Sequence, residues 1–172
     1  METEWAADGI TLSATGGYGT TPRLFNTSDV GDGEGLYGDH DLGSLNEKCH
    51  VPGPGEGKGG EPGEPGENCE PVGNLLIIQE DNDNLSIPDD NRDGGMITFD
   101  LSPPVTYVYR IGEIDVDYAT SITFVYNGEE VTIDVPLMGD NSVQTFTIDM
   151  ENVSQLKLNL YRSGAITFLF FA

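Results

Sequence analysis

Apolar residues in this chain recur at every second position, in short segments that glycine and proline interrupt. The 172 residues include 23 glycines and 10 prolines, which break helices and shorten strands. Alternation places one side of a segment against a core and the other in solvent, as in a β-strand. The pattern predicts one all-β domain over residues 1–172. Many short strands are typical of a jelly-roll β-sandwich, here with long acidic Gly/Pro-rich loops.

Two local signals sharpen this strand prediction. Asn127-Gly128 supplies the two positive φ angles of a type I′ hairpin turn. Residues 75–78 are continuously apolar, as expected of a strand covered on both faces. The predicted strands span 10–14, 23–26, 75–79, 96–101, 106–111, 113–117, 121–126, 130–135, 144–149, 154–161 and 165–171.

Carboxylates outnumber cations 30 to 7, and the excess is uneven. Residues 1–118 contain 24 of the Asp and Glu residues but only 5 Lys and Arg. Grouped carboxylates repel one another unless a cation lies among them, so the grouping predicts metal sites. An even acidic coat would instead indicate salt adaptation.

The net charge of −23 argues against nucleic acid or an anionic membrane as partner. The chain has no run of 18 apolar residues, so membrane insertion is not expected.

Residues 89–94 fit the spacing D-x-N-x-D-G, in which alternate side chains point at one cation and Gly94 permits a sharp turn. The alternative is an acidic turn whose side chains bond their own backbone. In residues 113–117, Glu113, Asp115 and Asp117 share one face of a predicted strand and would repel without a cation. The alternative there is a solvated Glu113 with a single structural Asp.

Two further acidic positions complete the predicted metal ligands. Asp39 and Asp41 follow a glycine-rich run and offer hard oxygen ligands, which suit Ca²⁺ better than Zn²⁺. Glu80 ends the predicted strand 75–79, either as a ligand or as a solvated strand terminus. The predicted Ca²⁺ ligands are Asp39, Asp41, Glu80, Asp89, Asp90, Asn91, Asp93, Asp115 and Asp117.

Residues 50–73 form a Gly/Pro/Glu-rich insert that a Cys49–Cys69 disulfide would close, and glycine recurs in it at every third position from Gly57 to Gly66. This disulfide would stabilise the fold by roughly 3 kcal/mol and indicates an oxidising compartment. The alternative is two unrelated thiols. We expect the insert to be a solvated, flexible loop. Trp5, Tyr18 and Tyr37, on predicted loops, are candidates for stacking on sugar rings or for packing.

Seven short motifs follow one another along the chain. They are FNTS at 25–28, DHDLG at 39–43, GNLLIIQE at 73–80, PDDN at 88–91, GMITFD at 95–100, IDVD at 114–117 and SGAI at 163–166. Their order resembles a domain of secreted bacterial surface proteins, many of which carry a PEP-CTERM-type sorting tail. The resemblance implies an extracellular jelly roll of the galactose-binding-like or carbohydrate-binding-module kind.

These observations favour a non-catalytic, Ca²⁺-stabilised binding module, secreted or at a cell surface, with glycan as partner. The alternative is a structural or adhesive protein of the extracellular matrix or cell surface without a small-molecule ligand. An enzyme is not expected, because neither histidine lies in a catalytic motif and no Gly-x-Ser-x-Gly, P-loop or zinc signature is present.

Overall fold

The computed structural model of the protein describes residues 9–19, 21–31, 38–81 and 88–172. These residues contain eight strands, one 3₁₀ turn at Lys58–Gly60 and no α-helix, which confirms the predicted all-β fold. No helix in this part of the chain is long and apolar enough to cross a bilayer. The strands are β1 (Ile10–Thr15), β2 (Arg23–Asn26), β3 (Asn74–Ile77), β4 (Gly95–Ile114), β5 (Thr120–Tyr126), β6 (Glu129–Val135), β7 (Val143–Leu160) and β8 (Ala165–Phe171).

All eight strands join one curled antiparallel sheet in the order β2-β3-β8-β4-β7-β5-β6, with β1 added beside β4. The 20-residue strand β4 pairs with β7 from Gly95 to Ile114, and it pairs with β1 near its start and with β8 near its end. Curling lets one sheet supply both layers of a sandwich-like fold, because each layer then covers the apolar face of the other.

The β4–β7 ribbon folds back on itself. Leu160 pairs with Gly95 at the start of β4, and Ala165 pairs with Ile114 at its end. A straight strand of this length would span roughly 66 Å, whereas the few residues from Leu160 to Ala165 reach at most about 18 Å. The two ends of β4 therefore lie close together, at the turn between β7 and β8.

Strand β3 lies between two apolar clusters. Leu76 and Ile78 belong to the main core, together with residues of β1, β4, β5 and β7. Leu75 and Ile77 belong to a smaller core with Phe25 of β2 and Ile114 of β4, among others. Both faces of residues 75–78 are therefore buried, as their continuous apolar run predicts.

Several predicted strands merge into longer ones. Residues 96–101 and 106–111 belong to β4, and 144–149 and 154–161 belong almost entirely to β7. Pro103 and Pro104 lie between the two segments that merge into β4, and the strand continues past them through a register shift between Asp100 and Val105, where an irregularity tolerates proline. The predicted hairpin turn is confirmed, with positive φ at Asn127 and Gly128.

The Cys49–Cys69 disulfide is formed. The insert that it closes is not solvated throughout, which differs from the expected loop, because Gly59, Gly60 and Gly66 are buried. A Cβ atom added at Gly60 would lie 2.4 Å from the carbonyl oxygen of Asn141. These glycines let the insert approach the loop between β6 and β7 more closely than a side chain would permit. Pro62, Glu64 and Pro65 of the insert are exposed.

Candidate metal centre

The folded-back ribbon gathers acidic segments from distant parts of the sequence at one end of the sandwich. Asp90 forms a β-bridge with Gln79, just after β3, and lies five residues before β4. Asp115 follows the last residue of β4, and its N–H donates to the carbonyl of Ser142 at 2.8 Å. Asp39 N–H donates to the carbonyl of Val30 at 2.9 Å, which holds the third segment in place.

Three carboxylates converge closely enough to share one ion. Asp39, Asp89 and Asp90 each offer an oxygen, and these oxygens all lie within 4.8 Å of one another. Oxygens bound to one Ca²⁺ at about 2.4 Å lie no more than about 4.8 Å apart, so the spacing fits. The Asp90 N–H donates to Asp39 Oδ2 at 3.3 Å, and the Gly164 N–H donates to Asp90 Oδ2.

A second group of carboxylates adjoins the first. Asp115 is buried and accepts hydrogen bonds from the Asn141 N–H at 2.8 Å and from the Ser163 hydroxyl at 3.2 Å. The carboxylates of Asp117 and Asp140 contact each other. Asp41 Oδ1 and Asp117 Oδ1 are buried and have no hydrogen-bond donor. We refer to Asp39, Asp41, Asp89, Asp90, Asp115, Asp117 and Asp140 together as the acidic cluster.

Burial and mutual repulsion make ionisation of the acidic cluster costly. Burial is the largest cause at each of five positions, and neighbouring carboxylates, Asp41 among them, add to it. The pKa of Asp90 rises to about 8 and that of Asp115 to about 9. The pKa values of Asp89 and Asp117 rise to about 6, and that of Asp39 rises well above its usual range.

Within the described ranges, no Lys, Arg or His forms an ion pair with a member of the acidic cluster. Protons or an external cation would therefore relieve the repulsion within the cluster at neutral pH. A divalent cation would neutralise it best, because it binds several carboxylates at once and leaves them ionised.

The structure brings together six of the nine predicted ligands, namely Asp39, Asp41, Asp89, Asp90, Asp115 and Asp117. Glu80 lies at the edge, where its Oε1 is 3.7 Å from Arg92 Nε and its Oε2 accepts the Arg92 N–H. Asn91 bonds within its own turn, donating to the Gly94 carbonyl and accepting the Asp93 N–H. Asp93 is exposed. Consecutive Asp89 and Asp90, not alternate residues of the loop, thus reach the cluster.

Sequence reasoning missed Asp140 and Asn141, which precede β7. The buried Asn141 side chain donates to the carbonyls of Asp41 and Gly43 at 2.8 and 2.7 Å. Its Oδ1 accepts from Asn46 Nδ2 at 2.8 Å and from Asn68 Nδ2 at 3.1 Å. Asn141 therefore links the disulfide-closed region to the acidic cluster. The only local signal was a Gly-Asp-Asn turn, which is common on protein surfaces.

Of the predicted sugar-stacking residues, Tyr18 is 48% exposed and follows β1. Trp5 and Tyr37 lie outside the described residues.

No protein-family model matches the chain, and no curated protein matches it significantly. Fold and site nevertheless define a class, a disulfide-containing β-sandwich-like protein with a buried multi-carboxylate centre at one end.

Proposed function

We propose that the protein is a non-catalytic, Ca²⁺-stabilised binding module, secreted or displayed at a cell surface, with carbohydrate as its ligand. The observation that carries the proposal is the convergence of Asp39, Asp89 and Asp90 within the spacing of one Ca²⁺ coordination sphere. Carboxylates without cysteine or histidine partners favour a hard cation over zinc.

A stabilising role fits the site better than catalysis. Asp39, Asp90 and Asp115 are 7%, 6% and 1% exposed, so a substrate has little access to them. They also lie where both ends of β4 meet the loops that carry Asp41 and Asn141. A cation there would hold together segments that mutual repulsion would otherwise push apart.

Extracellular placement and carbohydrate binding have separate support. The Cys49–Cys69 disulfide is of the kind that persists in oxidising compartments. Exposed aromatic side chains on β4 and β8 offer surfaces on which the C–H face of a sugar can pack.

Thermal unfolding in Ca²⁺ and then in excess chelator tests the metal proposal. At a hundredfold excess over its dissociation constant, a ligand of the folded state alone stabilises by about 2.7 kcal/mol. We expect Asp39→Asn to abolish this gain, and Asp93→Asn, at an exposed position three residues after Asp90, to retain it. An unfolding midpoint that Ca²⁺ leaves unchanged in the unsubstituted protein would overturn the proposal.

The exposed glutamates of the insert, such as Glu64 and Glu70, favour a second candidate, a structural or adhesive matrix protein in which Ca²⁺ bridges neighbouring molecules. Sedimentation velocity separates the two. Ca²⁺-driven self-association supports the matrix protein, whereas a monomer in saturating Ca²⁺ supports the binding module.

A further inference from the structure

We propose that a neutral glycan binds along an aromatic strip formed by Tyr107 and Tyr109 of β4 and by Phe168 and Phe170 of β8. The inference rests on the proposed carbohydrate-binding function and assigns its site. These four residues lie on strands of the sheet, unlike the loop aromatics that the sequence suggested.

The four residues lie on the side of the sheet that faces away from the main core. Val108, between Tyr107 and Tyr109 in the sequence, is fully buried in the core. Tyr109, Phe168 and Phe170 are instead 37%, 39% and 52% exposed. Ring centroids are 4.5 Å apart for Tyr107 and Tyr109, and 5.3 Å apart for Tyr109 and Phe170. The rings of Tyr107, Tyr109 and Phe170 therefore form one contiguous surface across two neighbouring strands. Phe168 lies two residues before Phe170 and so shares its face of β8.

Glycine and a strand irregularity shape this surface. The register of β4 shifts between Val108 and Arg110, so consecutive Tyr109 and Arg110 are both exposed. Gly112 is opposite Phe168, and a Cβ atom added there would lie 2.4 Å from the Phe168 ring. The missing side chain at Gly112 thus gives the Phe168 ring room to lie close to β4.

The insert forms a wall beside Phe168. A groove of about 300 Å³ runs between Phe168 and Thr167 on one side and Glu67 and Glu70 of the insert on the other. Carboxylates accept hydrogen bonds from sugar hydroxyls, and an aromatic ring packs against the apolar C–H face of the same sugar. At the other end of the strip, burial raises the pKa of the Tyr107 hydroxyl, and the nearby Asp149 carboxylate raises it further.

Area and charge argue against other occupants of the strip. The exposed fractions of Tyr109, Phe168 and Phe170 amount to about 250 Å² at roughly 200 Å² per side chain, far below the ~800 Å² per partner of a stable dimer. Two copies of a chain with net charge −23 also repel each other, as would an anionic glycan. A cationic ligand is disfavoured at Phe170, since the Arg110 guanidinium already lies 5.7 Å from its ring centroid.

Affinity electrophoresis of the full chain in Ca²⁺ tests the site, with β-glucan, galactomannan and arabinogalactan as neutral probes and alginate as an anionic one. We expect retardation by at least one neutral polysaccharide and none by alginate. Phe168→Ala and Phe170→Ala should each weaken binding about tenfold. Tyr161→Ala removes an aromatic ring that is 71% exposed away from the strip, and it should bind normally.

Folding controls separate loss of the binding site from loss of the fold. Each variant is first checked for an unchanged Ca²⁺-induced shift in unfolding temperature. If Phe168→Ala does not fold, Phe170→Ala and Glu70→Gln, both at exposed positions, serve in its place.

Neutral-glycan binding that survives the strip substitutions overturns this inference alone. Absence of binding to every neutral probe, with the Ca²⁺ response intact, overturns both the strip and carbohydrate as ligand. Binding of free tetramethylammonium that Phe170→Ala abolishes, without binding of any neutral glycan, would replace the glycan by a cation.

Discussion

Replacing Asp90 by Asn should stabilise the metal-free protein and at the same time abolish its response to Ca²⁺. Asn keeps the shape of the side chain and an oxygen that accepts the Gly164 N–H, but it removes one charge from the acidic cluster. A merely structural carboxylate would behave differently, since losing it would weaken the fold with and without metal.

The pKa of Asp90 sets the size of the effect. Burial raises this pKa from 3.8 to about 8, and each unit corresponds to about 1.4 kcal/mol. A carboxyl whose pKa is raised in the folded state costs stability as pH rises from about 4 to 8, and the full cost is present above pH 8. In chelator at pH 8.5, we therefore expect Asp90→Asn to gain stability, with about 6 kcal/mol as the upper limit, because Asp39 and Asp89 share the repulsion.

Urea unfolding followed by circular dichroism, in Ca²⁺ and in chelator, measures both effects. The unsubstituted protein should gain stability on adding Ca²⁺, and Asp90→Asn should not. Asp93→Asn is the matched control, because Asp93 is exposed on the same turn. The reasoning fails if Asp90→Asn is less stable than the unsubstituted protein in chelator, or if it keeps the full Ca²⁺ response.

Further predictions concern pH, the core and the disulfide. Burial raises the pKa of Asp115 to about 9, so the stability of the chelated protein should fall from pH 4 to 9, and Ca²⁺ should flatten this profile in urea titrations. Burial also raises the pKa of Glu113 to about 8, and neither of its oxygens has a hydrogen-bond partner. Glu113→Gln should remove a slope of about 1.4 kcal/mol per pH unit between pH 5 and 8, and an unchanged slope would refute this. Reducing Cys49–Cys69 should cost roughly 3 kcal/mol and weaken Ca²⁺ binding in calorimetry, because Asn141 connects that region to the cluster. Asn141→Ala should weaken Ca²⁺ binding even with the disulfide intact.

Local patterns in the sequence were enough to predict where most of the strand segments lie. Alternation identified β1, β2, β5, β6 and β8, since the side-chain period of a strand is a property of the backbone itself. The continuous apolar run at 75–78 correctly indicated burial on both faces, and Asn127-Gly128 correctly indicated a tight turn. Grouped carboxylates also marked most members of the acidic cluster before any contact was known, because their repulsion is evident from proximity in sequence.

Tertiary structure decided which of those carboxylates meet. Asp90 precedes the 20-residue strand β4 and Asp115 follows it. Only the folding back of the β4–β7 ribbon brings both ends of β4 to the β7–β8 turn. The same fold brings Asn141 to the disulfide-closed region and places Phe170 beside Tyr109. No local pattern encodes these contacts, since they depend on how a paired ribbon twists over its whole length to bury its apolar face.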